Sequence, residues 1–332
     1  MKMRHPVRMI ALCALPFLAL VAAAQVTASV PYSVSTFATS VLGVYYQPDS
    51  VAVLDGHIFV GFGNSAKPDG SDGKSSTIVE YDRNGNVITT YIVKGHNDGL
   101  KVDPRAKLLW AMQNEDASPN LVIIDPISRT QKLYSFGPPP HGGGYDDMAF
   151  RGKDVFISAS NPANNPNNAP AIVRAELKGN MVAVSPVLMG TATATDIPTD
   201  TPVALNLQDP DSMTFDPFGD LVLDSQADAE LVILHHPGAL DQSVYHLPLT
   251  LDGSPVQIDD TVYATSSHGV ILVSDRDGET IYAISKDVFS PAAAYSATPT
   301  SVGKLDMDTG VITNVVTGMV SPHGMAFAGE NE

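Results

Sequence analysis

The chain of 332 residues contains one cysteine, Cys13, which lies in an apolar N-terminal stretch. The rest of the chain therefore has no thiol for a disulfide or for nucleophilic catalysis. Positive charge is also scarce, because 19 Lys and Arg face 36 Asp and Glu, for a formal net charge of −17 at pH 7. An acidic surface repels nucleic acid and anionic lipid, so we expect neither as a partner.

Several motifs that would identify an enzyme class are missing from the sequence. There is no complete P-loop, dinucleotide-binding fingerprint, HExxH motif or nucleophile elbow. Covalent serine catalysis therefore has no support. Helical periodicity is also nearly absent, which favours an all-β protein.

The N-terminus has the pattern of a secretory signal. Basic residues precede an apolar stretch from Met9 to Val21, and Ala22-Ala23-Ala24 follows it. We predict a signal peptide over residues 1–24, cleavage before Gln25, and a secreted or periplasmic protein without a membrane partner. An uncleaved anchor is the alternative, but the apolar stretch is shorter than the roughly 20 residues of a spanning helix.

A short phrase recurs six times after the signal segment. It consists of a polar residue, then Asp or His, then Ser, Gly or Asp, then the start of a hydrophobic strand. The copies are Pro48-Asp49-Ser50-Val51, Asn97-Asp98-Gly99-Leu100, Tyr145-Asp146-Asp147-Met148, Pro210-Asp211-Ser212-Met213, Ile258-Asp259-Asp260-Thr261 and Pro322-His323-Gly324-Met325. Their spacings of 49, 48, 65, 48 and 64 residues indicate a propeller-like array.

Each repeat has the pattern of a four-stranded blade. In the first copy, short β-branched and aromatic runs alternate with Gly, Asp and Asn turns, and strands are predicted at 50–53, 57–61, 77–81 and 87–93. We therefore predict residues 25–332 to be a single six-bladed β-propeller of four-stranded antiparallel blades.

The end of the repeat array poses a problem of closure. Few residues follow the sixth phrase, so the last blade cannot be completed from the C-terminus. We expect the N-terminal segment Val30–Ser40 to supply the outer strand of this last blade, which is then still expected to lack one strand. Two longer insertions, Thr191–Asn206 and Lys286–Thr300, are interpreted as surface loops.

The repeated acidic residues are the main functional signal. In a propeller the innermost strand of each blade starts at the central channel, so the second residues of all six phrases are expected to form one ring: Asp49, Asp98, Asp146, Asp211, Asp259 and His323. Carboxylates about 8 Å apart repel one another by roughly 2 kcal/mol per pair at an effective dielectric constant of about 20. A divalent cation, protonation, or backbone N–H groups could offset this repulsion. A purely structural role in the turn of each repeat is the alternative.

Three copies of the phrase depart from the pattern by adding an imidazole. His96 precedes the second copy, His141 and three glycines precede the third, and His323 replaces Asp in the sixth. Histidine is suited to acid–base chemistry near neutral pH and to metal binding. We therefore predict catalytic roles for these three histidines.

The segment from Pro210 to Asp224 resembles the blade rhythm of six-bladed propellers of the NHL-repeat and gluconolactonase-like (SMP-type) group. The resemblance covers residues 48–327 as a rhythm. It implies a divalent metal in the central channel, held by acidic and amide side chains, that activates water against a lactone or ester. The matching inner-strand positions here are Asn97, Asp98, Asp146 and Asp211. That group also uses a Glu ligand near the start of its first blade, where this chain has Asp49.

Two functions of different classes follow from these observations. The first is an exported metal-dependent hydrolase of lactones or related esters, with a divalent cation, Ca²⁺ by preference, bound by ligands from the set Asp98, Asp146, Asp211, Asn97, Asp49 and Asp259. The second is a non-catalytic propeller that binds a peptide, glycan or small ligand on its polar face. The expected partner is therefore a small-molecule substrate in the first case and one of these ligands in the second.

Overall fold

The structure is a computed structural model that describes residues 25–330, so the predicted signal segment lies outside the described residues. Within that range all regular secondary structure is β-strand, and no helix is long and apolar enough to cross a bilayer. The prediction of an all-β protein is confirmed. The strands of the first half are β1 (Thr27–Ala28), β2 (Ser33–Thr39), β3 (Pro48–Leu54), β4 (His57–Phe62), β5 (Ser75–Tyr81), β6 (Val87–Lys94), β7 (Asn97–Asp103), β8 (Leu108–Gln113), β9 (Asn120–Asp125), β10 (Thr130–Phe136), β11 (Met148–Arg151), β12 (Asp154–Ser158), β13 (Pro170–Lys178) and β14 (Met181–Met189). Those of the second half are β15 (Thr193–Asp196), β16 (Thr201–Ala204), β17 (Pro210–Phe215), β18 (Leu221–Ser225), β19 (Glu230–His235), β20 (Ser243–Pro248), β21 (Thr250–Leu251), β22 (Ser254–Pro255), β23 (Thr261–Tyr263), β24 (Gly269–Asp275), β25 (Thr280–Ser285), β26 (Ala294–Thr298), β27 (Ser301–Leu305), β28 (Val311–Thr317) and β29 (Pro322–Gly329).

The described strands form five hydrogen-bonded sheets, which contain repeated four-stranded antiparallel units. Unit 1 is β3 to β6, close to the four strands predicted for the first repeat. Unit 2 is β7 to β10 and unit 3 is β11 to β14; parallel pairing of β10 with β14 joins them into one eight-stranded sheet. Unit 4 is β17 to β20.

The last two units exchange strands. Unit 5 consists of β23, β26, β27 and β28, and unit 6 of β29, β24, β25 and β2. The chain leaves unit 5 after its first strand, adds the β24–β25 hairpin to unit 6, and then returns. Strand β2 pairs with β25 at the outer edge of unit 6. The expectation that the last unit lacks a strand is wrong, because this hairpin supplies both middle strands.

Both segments interpreted as surface loops contain strands. Between Thr191 and Asn206, the β15–β16 hairpin extends unit 4 through parallel pairing of β15 with β20. Between Lys286 and Thr300, β26 is a fully buried strand of unit 5, and Phe289 is also buried. The small Ala and Ser side chains of β26 suggest exposure in the sequence, whereas in the structure they fit between closely packed neighbours.

The first strands of the units surround a common axis. Strands β3, β7, β11, β17, β23 and β29 contact one another in a closed cycle, and apolar clusters fill the spaces between neighbouring units. Their approach is so close that a Cβ on Gly99 would lie 2.3 Å from the carbonyl oxygen of Asp146. Glycine is therefore required at this position of the second phrase. The same cycle brings the start of every phrase to one end of the axis.

Candidate functional site

The second residue of every phrase lines one cavity of about 180 Å³, which we call the acidic cavity. These residues are Asp49, Asp98, Asp146, Asp211, Asp259 and His323. The loops that precede inner strands add His96 and Asp209, and the loops that follow second strands add Glu115, Gln226 and Arg276. Residues far apart in the sequence thus converge because each inner strand starts at this end of the axis.

Three carboxylates from different units meet at one side of the acidic cavity. Asp98, Asp146 and Asp211 each place an oxygen within 4.8 Å of the others. Among the described residues, the ion pairs in this region join Lys101, Arg276, His96 and His323 to other carboxylates. His96 nevertheless has a ring nitrogen within 4.8 Å of Asp98. Burial and the charge of Asp211 raise the pKa of Asp146 well above its usual value, and burial and Asp259 do the same to Asp211.

A second group shares Asp98 and consists of His96, Asp98 and Glu115, again with potential ligand atoms within 4.8 Å. The Nδ1 atom of His96 lies 2.9 Å from the Glu115 carboxylate. Burial alone favours the neutral imidazole, but Glu115 outweighs it and raises the pKa of His96 to about 9. Burial raises the pKa of Glu115 to about 7. Glu115 was missed at the sequence level, because it lies in a loop that carries no repeated pattern.

His323 and Asp259 form a pair at another wall of the acidic cavity. The Nε2 atom of His323 lies 3.7 Å from the Asp259 carboxylate, and its Nδ1 lies 2.9 Å from the carbonyl oxygen of Ser321. Burial favours the neutral ring, but Asp259 and Asp49 outweigh it and raise the pKa of His323 to about 9. Burial raises the pKa of Asp259 to about 7 although His323 opposes this. A protonated imidazole thus lies beside a carboxyl group that titrates near neutral pH.

Two predicted site residues do not line the acidic cavity. The side-chain amide of Asn97 donates hydrogen bonds to the carbonyl oxygens of Gly99 and Met112, which holds it inside the sheet of unit 2. The Nε2 atom of His141 lies 2.6 Å from the carbonyl oxygen of Gly144, and burial lowers the pKa of this imidazole.

The glycines after His141 bring two backbone segments together. A Cβ on Gly144 would lie 2.2 Å from the carbonyl oxygen of Glu115. This glycine therefore lets the third phrase pack directly against the loop that carries Glu115. Its role in the structure is to position a cavity loop.

No protein-family profile and no curated protein sequence matches the chain. Similar solved structures include the periplasmic gluconolactonase of Pseudomonas aeruginosa (11% identity, TM-score 0.50, covering 85% of this chain and 88% of that one). Virginiamycin B lyase from Staphylococcus aureus is also similar (9% identity, TM-score 0.50, covering 90% and 97%). At these identities the likeness concerns the fold alone. The fold is that of a β-propeller. We therefore call the units blades and the common axis the channel.

A further charged group lies within the channel beside the acidic cavity. The ammonium group of Lys101 lies 2.9 Å from the Asp147 carboxylate. Asp260 and Asp224 add to the negative charge around it and help to raise the pKa of Lys101 above its usual value, against the effect of burial. Lys101 also lines an apolar cavity of about 430 Å³. It thus forms part of the boundary between the acidic and apolar regions of the channel.

The raised pKa values predict how the stability of the cation-free protein depends on pH. Asp259, Glu115 and Asp260, with pKa values of about 7, 7 and 6, are protonated more readily in the folded chain than in the unfolded chain. Their contribution to the free energy of unfolding is complete below about pH 4 and is lost as pH rises through 6 to 7. The loss is about 1.4 kcal/mol per pH unit for each proton that the folded chain binds in excess of the unfolded chain. Thermal unfolding in chelator is expected to show a midpoint that falls from pH 5 to pH 8. A midpoint that rises over this range would contradict the assignment.

Proposed function

We propose that the protein is an exported, six-bladed propeller, closed by strand β2, that hydrolyses lactones or related esters with the help of a divalent cation in the acidic cavity. The observation that carries this proposal is the meeting of Asp98, Asp146 and Asp211, whose oxygens lie within 4.8 Å of one another and take part in none of the ion pairs of the described residues in this region. Their all-oxygen donor set fits a hard cation such as Ca²⁺. The similarity in fold to a gluconolactonase agrees with it.

The residues that would hold the cation are Asp98, Asp146 and Asp211. When bound, the cation supplies Lewis-acid polarisation of the ester carbonyl and balances the negative charge of the cavity. Burial makes the charged forms of Asp146 and Asp211 costly without a counter-charge. They are therefore suited to binding a cation rather than to remaining charged alone.

Asp259 and His323 are placed to move the protons of the reaction. With a pKa of about 7, Asp259 can accept a proton from the attacking water. His323, with a pKa of about 9, can donate a proton to the alkoxide that leaves when the acyl C–O bond breaks. Water adds across this bond, and the products are an alcohol and a carboxylic acid, which are parts of one hydroxy acid when the substrate is a lactone.

His96 and Glu115 form the wall beside Asp98. Their 2.9 Å contact holds the imidazole against a carboxylate and fixes both side chains. We assign His96 an electrostatic role in the cavity. His141, which is buried outside the cavity and has a lowered pKa, takes no part in this mechanism.

Metal analysis combined with a lactone panel tests the proposal. We expect purified protein to bind one hard divalent cation tightly enough to be retained, and chelation to abolish lactone hydrolysis until Ca²⁺ is restored. Hydrolysis that persists in chelator would overturn the metal-dependent mechanism. Cation binding without turnover of any lactone or ester would instead support the non-catalytic binding propeller.

A further inference from the structure

Arg276 is a cationic residue in a cavity otherwise dominated by carboxyl groups. It follows β24 and lines the acidic cavity, where its side chain remains one-third exposed. Its Nε atom lies 4.0 Å from the Asp49 carboxylate, which is too long for a hydrogen bond. Within residues 25–330 this buried Nε–H has no hydrogen-bond acceptor. Arg276 thus lines the cavity with one guanidinium donor, Nε–H, that has no partner among the described residues.

The backbone around Arg276 is held rigidly against the strand that carries His323. The carbonyl oxygen of Ser321 accepts a hydrogen bond from the backbone N–H of Arg276 at 2.8 Å, and it lies 2.9 Å from the Nδ1 of His323. The Asp275 carboxylate accepts hydrogen bonds from the backbone N–H groups of Val320 and Ser321. Both cationic side chains are therefore anchored through the same short segment before β29.

We propose that Arg276 binds a carboxylate of the substrate, so that the preferred lactone or ester carries a free acidic group in addition to the bond that is cleaved. This inference rests on the proposed hydrolase function. A guanidinium group offers a planar pair of donors that matches a carboxylate. The cavity then has two chemically distinct sides, with Asp98, Asp146 and Asp211 on one and Arg276 on the other.

Asp49 does not fulfil the requirement of Arg276 for an anion. The 4.0 Å separation leaves no hydrogen bond between them. An incoming carboxylate would supply the hydrogen bonds that Asp49 does not.

A matched pair of substrates tests this inference. One is 5-oxotetrahydrofuran-2-carboxylate, a lactone with a free carboxylate, and the other is its neutral carboxamide. The wild-type protein is expected to prefer the carboxylate in kcat/KM. Arg276→Gln is expected to reduce this preference by about 10- to 100-fold, the range for charge-assisted hydrogen bonds. Arg276→Lys, which keeps the charge but loses the planar fork, is expected to lie between the two.

Arg105→Gln is the control, because it removes the same charge from an exposed turn. It is expected to leave the preference unchanged. Equal losses for the carboxylate and the carboxamide in Arg276→Gln would overturn the inference and make Arg276 a counter-ion of the acidic cavity. A wild-type preference for the carboxamide would also overturn it.

Binding of the hydrolysis product separates this inference from the proposed function. Calorimetry with 2-hydroxyglutarate is expected to show binding to the wild-type protein and at least about tenfold weaker binding to Arg276→Gln. Binding that depends on Arg276 without lactone turnover would support the carboxylate site and refute the hydrolase. Turnover of neutral lactones without such binding would support the hydrolase and refute the carboxylate site.

Discussion

Replacing Asp146 with asparagine is expected to lower kcat/KM for a hydrolysed lactone by more than about 100-fold. Asp146 meets Asp98 and Asp211 within 4.8 Å, and changes to groups that only orient metal ligands already cost about 10- to 100-fold. The stabilisation of the wild-type protein by Ca²⁺, about 4 °C in the unfolding midpoint at 100 times Kd for a chain of this size, is expected to disappear in the variant.

The stability of this variant in chelator distinguishes a lost cation site from a damaged fold. Burial and neighbouring charge already favour the neutral form of Asp146, which an asparagine side chain resembles in shape and charge. The midpoint in chelator should therefore stay within about 2 °C of the wild type, or about 1 kcal/mol for a chain of this size. Asp287→Asn in an exposed loop is the matched control. Retained turnover and retained Ca²⁺ response in Asp146→Asn would refute the assigned ligand set.

The repeated phrase predicts the units and their common end because both depend on local pattern. Each inner strand begins within its phrase, so the second phrase residue of every unit, such as Asp98 or Asp211, reaches the same cavity. The alternation of short β-branched runs and turns also predicts the four strands of unit 1. The residue type at the second phrase position varies, as His323 in place of Asp shows. The strand pattern alone does not require a particular residue at such a position.

The exchange of strands between units 5 and 6 could not be predicted in this way. The β24–β25 hairpin has the same local pattern whether it pairs with β23 or with β29. Its partner is decided by contacts between distant segments, including β2 near the N-terminus. The same limit applies to β26, whose small residues suggest a loop until the surrounding sheet is known.

The site residues supplied by loops were also beyond sequence reasoning. Glu115 and Arg276 follow the strands β8 and β24, and neither belongs to a repeated phrase. Their positions depend on backbone packing, such as the contact of Gly144 with the Glu115 carbonyl group. Asn97 shows the opposite case, because a residue inside a phrase uses its amide for hydrogen bonds within the sheet.

The charge around Lys101 shows how the propeller tolerates buried carboxyl groups next to the acidic cavity. The Asp147 carboxylate accepts one hydrogen bond from the backbone N–H of Met213, in the next blade, and also contacts Lys101. Asp260 likewise accepts one from Met325. These carboxylates therefore link inner strands of neighbouring blades, and one lysine provides their shared positive charge.

Replacing Lys101 with methionine is expected to lower the free energy of unfolding by about 3 kcal/mol or more at pH 8, because it leaves buried carboxylates without their positive partner. The side chain keeps its approximate length, so loss of packing contributes little. At pH 5 the loss is expected to be smaller, because Asp260, with a pKa of about 6 even beside Lys101, can become protonated. Urea unfolding at both pH values measures the difference.

Lys107→Met is the matched control for this prediction. Lys107 also contacts an aspartate, Asp55 at 2.7 Å, but both side chains are more than half exposed. An exposed ion pair contributes at most about 1 kcal/mol, so its loss is expected to be small at either pH. Equal effects of the two substitutions, or a Lys101→Met effect that does not depend on pH, would show that the positive charge of Lys101 does not hold the inner strands together. A larger loss at pH 8 confined to Lys101→Met would show that blade contacts and channel charge are energetically linked, because Asp147 and Asp260 serve both.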